Sequence, residues 1–365
     1  MTTTPAPASA PLTRRVSQRV SQSVFDGSRL RVVLLVDVHD GAQQQFLEAY
    51  EQLCNQVASV PGHVSDQLCQ SIENPSQWLI TSEWESAPPF LTWVNSEEHV
   101  EMVKPLHSCV RDTRSLRFHV VRETGGPASA AARSLQTAPR MGDGVIRHAL
   151  TFTVKPGSEE AVAKILADYA SPEPKVDETT RLCRTSLFMH GNRVVRAVEV
   201  RGDLLAALRH VARQPEVRAV EEAINPYLEQ DRDLDDPDSA RVFFTRAALP
   251  AVHHVAADQE DPKAERHALY YPAKTGHGLE LARLLAEQDE AAADDPTCPV
   301  LSSTIFQRDD VVVRLVDVRR GVHADDPALS PKAAELKRLL DGRAAQGGAG
   351  PTRMTLVTDR RSPGA

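Results

Sequence analysis

The sequence predicts an α+β protein made of three tandem copies of one small module, each with an antiparallel sheet. Two observations carry this. An arginine-to-glycine frame occurs three times, as RVVLLVDVHDG at 31–41, RHALTFTVKPG at 147–157 and RHALYYPAKTG at 266–276. Each copy is a run of strand length, then a turn marked by Gly, then a segment with helical spacing. A later strand also recurs, as WLITSEWES at 78–86, VVRAVEVRG at 194–202 and VVRLVDVRR at 312–320, with an acid at one position: Glu83, Glu199 and Asp317. Self-similarity at this spacing sets the organisation of the chain before any short motif is read.

With 365 residues, 41% of them hydrophobic, the chain can build three cores. The net charge of −8 and the lack of a Lys/Arg-rich face argue against a nucleic-acid partner. No apolar run is long enough to span a membrane. Residues 1–28 are rich in Ser, Thr, Ala and Pro and lack the apolar middle of a secretory signal, which predicts a disordered tail. Cys54, Cys69, Cys109, Cys183 and Cys298 form no C-x-x-C pair and read as reduced core thiols of a cytoplasmic protein.

In the first unit, residues 29–123, a strand at 31–39 leads to a helix at 43–57, where Phe46, Tyr50, Leu53 and Val57 recur at helical spacing. Strands at 64–72 and 78–85 flank the hairpin composition of 73–76, Pro88 and Pro89 open one or two helices reaching about 109, and a strand at 116–122 closes the unit. Strand, helix, strand, strand, helix, strand is the ferredoxin-like order, with the helices on one face of the sheet and the other face bare. A bare face needs cover. A second sheet, from another repeat or another chain, is expected to supply it and to leave an apolar cavity between.

Residues 124–144 read as a linker. The second unit, 145–250, repeats the pattern: a strand at 148–154, a helix on Val162, Ile165, Leu166 and Tyr169, strands at 183–189 and 193–200, and a helical stretch at 203–228 that Pro215 should split. A strand at 241–247 is expected to close it. The acidic run 231–239 lacks the Gly and Glu of a calcium loop and reads as solvated. Residues 251–264 read as a second linker, with His253 and His254 in solvent. The third unit, 265–360, has strands at 267–271, 300–306, 311–318 and 353–358 and helices on Leu281, Leu284 and Leu285 and at 331–340. The second and third units share the closest sequence, so they are expected to cover each other's sheets. The first unit is then left to pair with a second copy of the chain, as a homodimer.

Candidate site residues lie in two units. No G-x-G-x-x-G, P-loop or H-E-x-x-H occurs, so neither a nucleotide nor a metal site is predicted. In the first unit the candidates are Trp78, Trp84, Trp93, Asn95, His63, His99, His107 and Arg111. Trp84 ends a strand where its ring could floor a cavity, or could simply fill core. Asn95 and His99 are four apart and would share a helix face; the plainer reading makes them a cap and a surface residue. In the second unit, Arg196 has the counterpart Arg314, both among valines, so each needs an acid or an anionic ligand. The structural alternative is an ion pair across the interface between the second and third units. His190 and His210 also stand out, and His210 has no counterpart in the third unit.

These residues support a resemblance. WESAPPFLTWVNSEEH at 84–99 resembles the antibiotic biosynthesis monooxygenase domain, a dimeric α/β-barrel module whose members often oxidise polycyclic phenols without flavin or metal. RHALTFTVKPG, FMHGNRVVRAVEVRGDL at 188–204, RHVARQP at 209–215 and PYLEQDRDL at 226–234 resemble the SchA/CurD-like proteins of aromatic polyketide and spore-pigment clusters. Together the two resemblances cover about 30–360. They imply a monooxygenase that needs no cofactor beyond dioxygen as co-substrate and converts a phenolic polyketide intermediate to a quinone. Trp84, Asn95 and His99 would then polarise the pocket, with Trp78, Trp93, His63, His107 and His190 lining it. Two other readings stay open: a polyketide cyclase in which His210 or Arg196 promotes an aldol step, and a non-catalytic partner of the biosynthetic enzymes. Haem occurs in this superfamily, without a specific sequence signature here.

Overall fold

The computed structural model describes residues 20–121, 142–256, 261, 263–295, 297–321, 333–341 and 351–362. It is an α+β fold with antiparallel sheets. After a short strand β1 (Val20–Ser23), the first sheet is built from β2 (Leu30–Val38), α1 (Gln43–Val57), β3 (His63–Gln70), β4 (Gln77–Trp84), α2 (Ala87–Val94), α3 (Glu97–His107) and β5 (Val110–His119). Its strand order is β3-β4-β2-β5, all pairs antiparallel. Alternation along β2 turns Leu30, Val32, Val36 and Val38 into the helix layer, where they are buried. The opposite face carries Leu35, 43% exposed, and Phe118, 50% exposed. It is the bare face that the sequence predicts.

The remaining elements are β6 (Val145–Thr153), α4 (Glu159–Asp168), β7 (Arg181–His190), β8 (Arg193–Arg201), α5 (Leu204–Ala212), α6 (Pro215–Ile224), α7 (Pro237–Ala247), β9 (Ala248–Ala256), β10 (Glu265–Pro272), α8 (Gly278–Ala293), β11 (Val300–Arg308), β12 (Val311–Val318), α9 (Ala333–Leu339), β13 (Thr352–Arg353) and β14 (Thr355–Arg361). They share one sheet of ten strands, in the order β13-β10-β12-β11-β9-β6-β8-β7-β14, with β1 paired to β9. The two ends of that path, β13 and β14, are separated only by Met354, so the sheet nearly closes into a barrel. The opposite seam has the same design: β9 pairs β6 through residues 248–250 and then β11 through residues 251–256.

Several expectations are corrected. Residues 241–247 are helix, not strand. The run Val242, Phe243, Phe244 suits either, but Pro237 fits a first helical turn and the Asp236 carbonyl accepts the Ala240 N–H. The closing strand is β9, most of which reads as linker from sequence. His253 and His254, expected in solvent, are 2% and 4% exposed because β9 is a central strand. Residues 20–28, assigned to the tail, include β1; residues 1–19 and most of the linker at 124–144 lie outside the described residues. Strand β5 begins at Val110, six residues before the expected start, and Cys69 is exposed rather than core.

The cavity expected between facing sheets is also corrected. Phe188, Val195 and Leu249 from one half of the barrel meet Phe306, Val313 and Leu315 from the other in one buried cluster. Burying each such side chain is worth about 1.5–3 kcal/mol, so the barrel interior is a core. One end of it is sealed by ion pairs: Arg184 to Asp317 at 3.0 Å and Asp359 at 2.5 Å, and Arg266 to Asp317 at 2.6 Å and Glu199 at 2.7 Å.

Candidate functional site

The residues with chemical potential gather instead in the helix layer of the first sheet. Trp84, at the end of β4, is fully buried and donates its indole N–H to Ser82 Oγ at 3.0 Å. Pro88 and Pro89 start α2 immediately after the strand, which brings Phe90 to 5.4 Å and Trp93 to 5.3 Å from Trp84, ring centre to ring centre. The Trp84 and Trp93 rings stack, with an interplanar angle of 30°. His63, on the neighbouring β3, meets Trp84 edge-on at 5.2 Å and lies 2.9 Å from Asp66. His99 meets Trp93 edge-on at 4.3 Å. The result is a chain of rings, His63, Trp84, Trp93, His99, running from sheet to helix.

Helix α3 positions His99. Ser96 caps it by accepting the His99 N–H at 3.1 Å, so the chain breaks between α2 and α3. Asn95 is therefore the C-terminal cap of α2 and not a partner of His99 on one helix face, which corrects that expectation. Burial, and then the charges of His107 and Arg117, push the His99 pKa down to about 4, so the imidazole is neutral at pH 7. Its Nδ1 and the indole nitrogen of Trp93 are buried without a hydrogen-bond partner among the described residues. Burial raises the pKa of Asp66, opposed by His63.

The other predicted residues lie apart. Trp78 packs on Phe46 at 5.4 Å in a separate cluster at the far end of β4. His107 is exposed in the last turn of α3, and its charge acts on His99. In the barrel, His190 ends β7 opposite Arg193, and His210 on α5 lies 3.2 Å from the Glu173 carbonyl. Arg196 forms an ion pair, but with Glu221 on α6 at 2.6 Å and not across the two halves; Arg314 likewise pairs with Asp289 on α8. Both arginines point into the helix layer of their own half because the register places them on the face away from the barrel interior. A surface cleft of about 270 Å³, lined by Gln230, Asp231, Ser239, Val242, Phe243 and Arg246, includes none of the predicted site residues.

Sequence reasoning missed Arg117 on β5. Its guanidinium lies 5.3 Å over the Phe90 ring. The alternation of β5, read from Leu116 onward, places Arg117 on the helix face, and that periodicity was available in the sequence.

Residues 29–105 match the antibiotic biosynthesis monooxygenase family and residues 145–257 match the SchA/CurD like domain. Over 95% of this chain and 98% of the other, the sequence is 63% identical to polyketide synthase CurD of Streptomyces cyaneus. The chain belongs to the SchA/CurD family. This SchA/CurD protein is also 60% identical to the 42.8 kDa protein in the whiE locus of Streptomyces coelicolor, over 100% of this chain and 96% of that one. Protein SchA of Streptomyces halstedii is 59% identical over 95% and 97%. Among solved structures, SnoaB, a cofactor-independent oxygenase from Streptomyces nogalater, is 18% identical over 27% of this chain and 96% of its own, with a TM-score of 0.25. A putative antibiotic biosynthesis monooxygenase from Nitrosomonas europaea is 14% identical over 28% and 98%, with a TM-score of 0.26. The monooxygenase match holds His63, Trp84, Trp93 and His99, and the SchA/CurD match holds Arg196 and His210.

Proposed function

We propose that this SchA/CurD protein is a cofactor-independent monooxygenase that oxidises a phenolic aromatic polyketide intermediate to a quinone. One observation carries the reading: the Trp84–Trp93 stack ends on a neutral His99 whose buried Nδ1 has no hydrogen-bond partner among the described residues, so aromatic rings lie beside an unsatisfied hydrogen-bonding nitrogen. A planar phenol laid along the half-buried Trp93 ring would bring its hydroxyl towards His99. Once ionised, an electron-rich phenol can give an electron to dioxygen directly; collapse of the radical pair forms a C–O bond, and loss of water leaves the quinone. One phenol and one dioxygen give one quinone and one water. The protein's task is to hold the ring flat, favour the anion and exclude water. Membership of a family whose relatives include a named polyketide synthase supports the substrate class.

The cyclase reading has less support. Arg196 is bound to Glu221, and His210 lies against the Glu173 carbonyl, on different elements.

We further propose that the barrel is two copies of the first sheet's module fused in one chain, and that a second copy of the protein covers the bare face around Leu35 and Phe118. Light scattering at micromolar concentration tests the dimer; a single monomeric mass would refute it.

The oxygenase reading is tested by incubating the protein with a polyketide-derived naphthol or anthrone in air and under nitrogen, following quinone absorbance and oxygen uptake. Turnover should need oxygen and fall at least tenfold in His99→Ala. Equal product under nitrogen would refute it.

A further inference from the structure

The cleft of about 270 Å³ in the second unit is lined by α7 on one side and by Gln230 and Asp231 on the other. These two residues belong to PYLEQDRDL, at 226–234, a stretch to which the Trp84–His99 cluster gives no role. The stretch is pinned to its surroundings. Val154 bridges Leu228, the Thr153 carbonyl accepts the Glu229 N–H at 3.1 Å, and the Tyr227 carbonyl accepts the Lys155 N–H at 2.7 Å. Beyond the cleft residues, Arg232 donates to Asn225 Oδ1 at 2.9 Å and pairs with Glu221 at 2.7 Å, and Ser239 Oγ on α7 accepts the Asp233 N–H at 2.9 Å. Gln230 and Asp231 therefore extend from backbone that is held on both sides.

The apolar lining is equally fixed. Phe243, 4% exposed, belongs to the core of this half of the barrel, and the Arg232 guanidinium lies 4.6 Å from its ring centre. Val242, 47% exposed, adds an aliphatic wall. Asp231 and Arg246 line the same cleft, yet no ion pair joins them within 4.0 Å, and neither they nor Gln230 bond another side chain among the described residues. Exposed polar side chains alone are ordinary surface. Here they surround a concave apolar floor, which is the composition of a small-molecule site. A guanidinium and a carboxylate that share a small space without neutralising each other offer one point for an anion and another for a hydrogen-bond donor. Ser239 accepts one bond through its oxygen and keeps its hydroxyl proton to give.

We propose that this cleft binds a hydroxylated aromatic carboxylate, with the carboxylate on Arg246, the ring against Phe243 and Val242, and the hydroxyl donating to Asp231 or Gln230. Size limits the ligand. A cleft of about 270 Å³ is at the small end of ligand sites, which run from roughly 300 to 1,000 Å³, so it takes one ring or two fused rings, and a larger skeleton would project into solvent. The cleft shares no residue with the Trp84–His99 cluster. Its ligand class follows from its own side chains and does not depend on the oxygenase reading.

The test is equilibrium dialysis of the full-length protein at neutral pH with 6-hydroxy-2-naphthoate, with 2-naphthoate, which lacks the hydroxyl, and with 2-naphthol, which lacks the carboxylate. The hydroxy acid should bind at least tenfold more tightly than 2-naphthol and at least threefold more tightly than 2-naphthoate. Arg246→Gln should weaken both acids tenfold or more and leave 2-naphthol unchanged. Asp231→Ala should remove most of the advantage of the hydroxy acid without weakening 2-naphthoate. Val242→Trp fills the cleft and should weaken both acids tenfold or more. All three side chains are exposed, so the variants should fold as wild type does, which circular dichroism checks. Arg209→Gln, an exposed arginine of α5 outside the cleft, should change nothing. Because these rings can also lie along Trp93, only binding that Val242→Trp removes is credited to the cleft. No saturable binding of either acid, equal affinity for 2-naphthoate and 2-naphthol, or acid binding that survives both Arg246→Gln and Val242→Trp would overturn the proposal. Tighter binding of L-tyrosine than of the hydroxy acid would overturn the ligand class. Oxygen uptake is not read in this assay, so a failed oxygenase reading and a failed cleft are separate results.

Discussion

Arg266 lies directly opposite Asp317 in the β10–β12 ladder, pairs with it at 2.6 Å, and reaches Glu199 on the other half of the barrel at 2.7 Å. The register places Arg31 opposite Glu83 and Arg147 opposite Glu199 in the same way. The arginine of the repeated frame and the recurring acid of the later strand are therefore one cross-strand pair, written three times.

The setting of the pair decides its energetic weight. Arg31 and Glu83 bond at 2.5 Å, but the arginine side chain is 49% exposed, against 7% for Arg266. Arg266→Ala leaves Glu199 without its arginine and Asp317 with Arg184 alone, and should cost about 3–5 kcal/mol, whereas Arg31→Ala should cost about 1 kcal/mol or less. Urea unfolding followed by circular dichroism measures both; equal midpoint shifts would contradict the assignment.

This pairing also shows what the sequence can and cannot disclose. The frame, the acid and the strand alternation are local periodicities, and each was legible. Closure of the barrel was not, because β9 divides its partners between β6 and β11 and contains His253, His254 and Pro250, which look like loop composition. The aromatic cluster was half legible: the residues could be named, but Trp78 and Trp84 lie at opposite ends of one strand and only Trp84 meets Trp93. That Arg117 lies over Phe90 follows from how β5 and α2 pack in space, and sequence spacing carries no such information.

Acid should destabilise the protein in two stages. His99 and His148 titrate near 4 and His254 near 3, all depressed first by burial. Below pH 6.5 the unfolded chain takes up protons that these buried rings refuse until pH 3 to 4. Stability therefore falls across that window by about 1.4 kcal/mol per pH unit for each histidine. Asp317, Asp359 and Glu221 are held below the usual carboxylate range by their arginines, so their contribution is present above about pH 4 and is lost below it. Urea midpoints from pH 8 to 3, with histidine titration by NMR, check this. A flat profile between pH 6.5 and 4.5 would show that the rings are not buried neutral.

The last strand should act as a clasp. Asp359 on β14 accepts from Arg184 at 2.5 and 2.8 Å and from Ser186 at 2.8 Å, next to the seam where the barrel closes. Asp359→Asn should lower stability by about 1.5–3 kcal/mol, as expected for bonds to charged groups. Hydrogen exchange should then rise first at Thr185 and Leu187 of β7. Protection there equal to wild type would argue against the clasp.

Gly278 opens α8 against the turn between β11 and β12, and its N–H donates to Asp310 Oδ1 at 3.3 Å. A Cβ at this position would overlap the Asp309 carbonyl oxygen, which is backbone and cannot swing aside. Gly278→Ala should therefore cost about 1–3 kcal/mol or more despite the better helix propensity of alanine. A neutral or stabilising result in thermal melts would mean that the turn yields.

Trp84 separates packing from chemistry. The ring is fully buried, stacks on Trp93 and bonds Ser82. Trp84→Ala should cost about 3–5 kcal/mol, since both a large apolar surface and a partner for Trp93 are lost. Trp84→Phe keeps most of the apolar contact but shortens the aromatic face, so it should retain the fold while weakening 1-methoxynaphthalene binding severalfold. A folded Trp84→Phe that binds this uncharged probe as wild type does would place Trp84 in the core alone and move the ring-binding surface to Trp93 and Phe90.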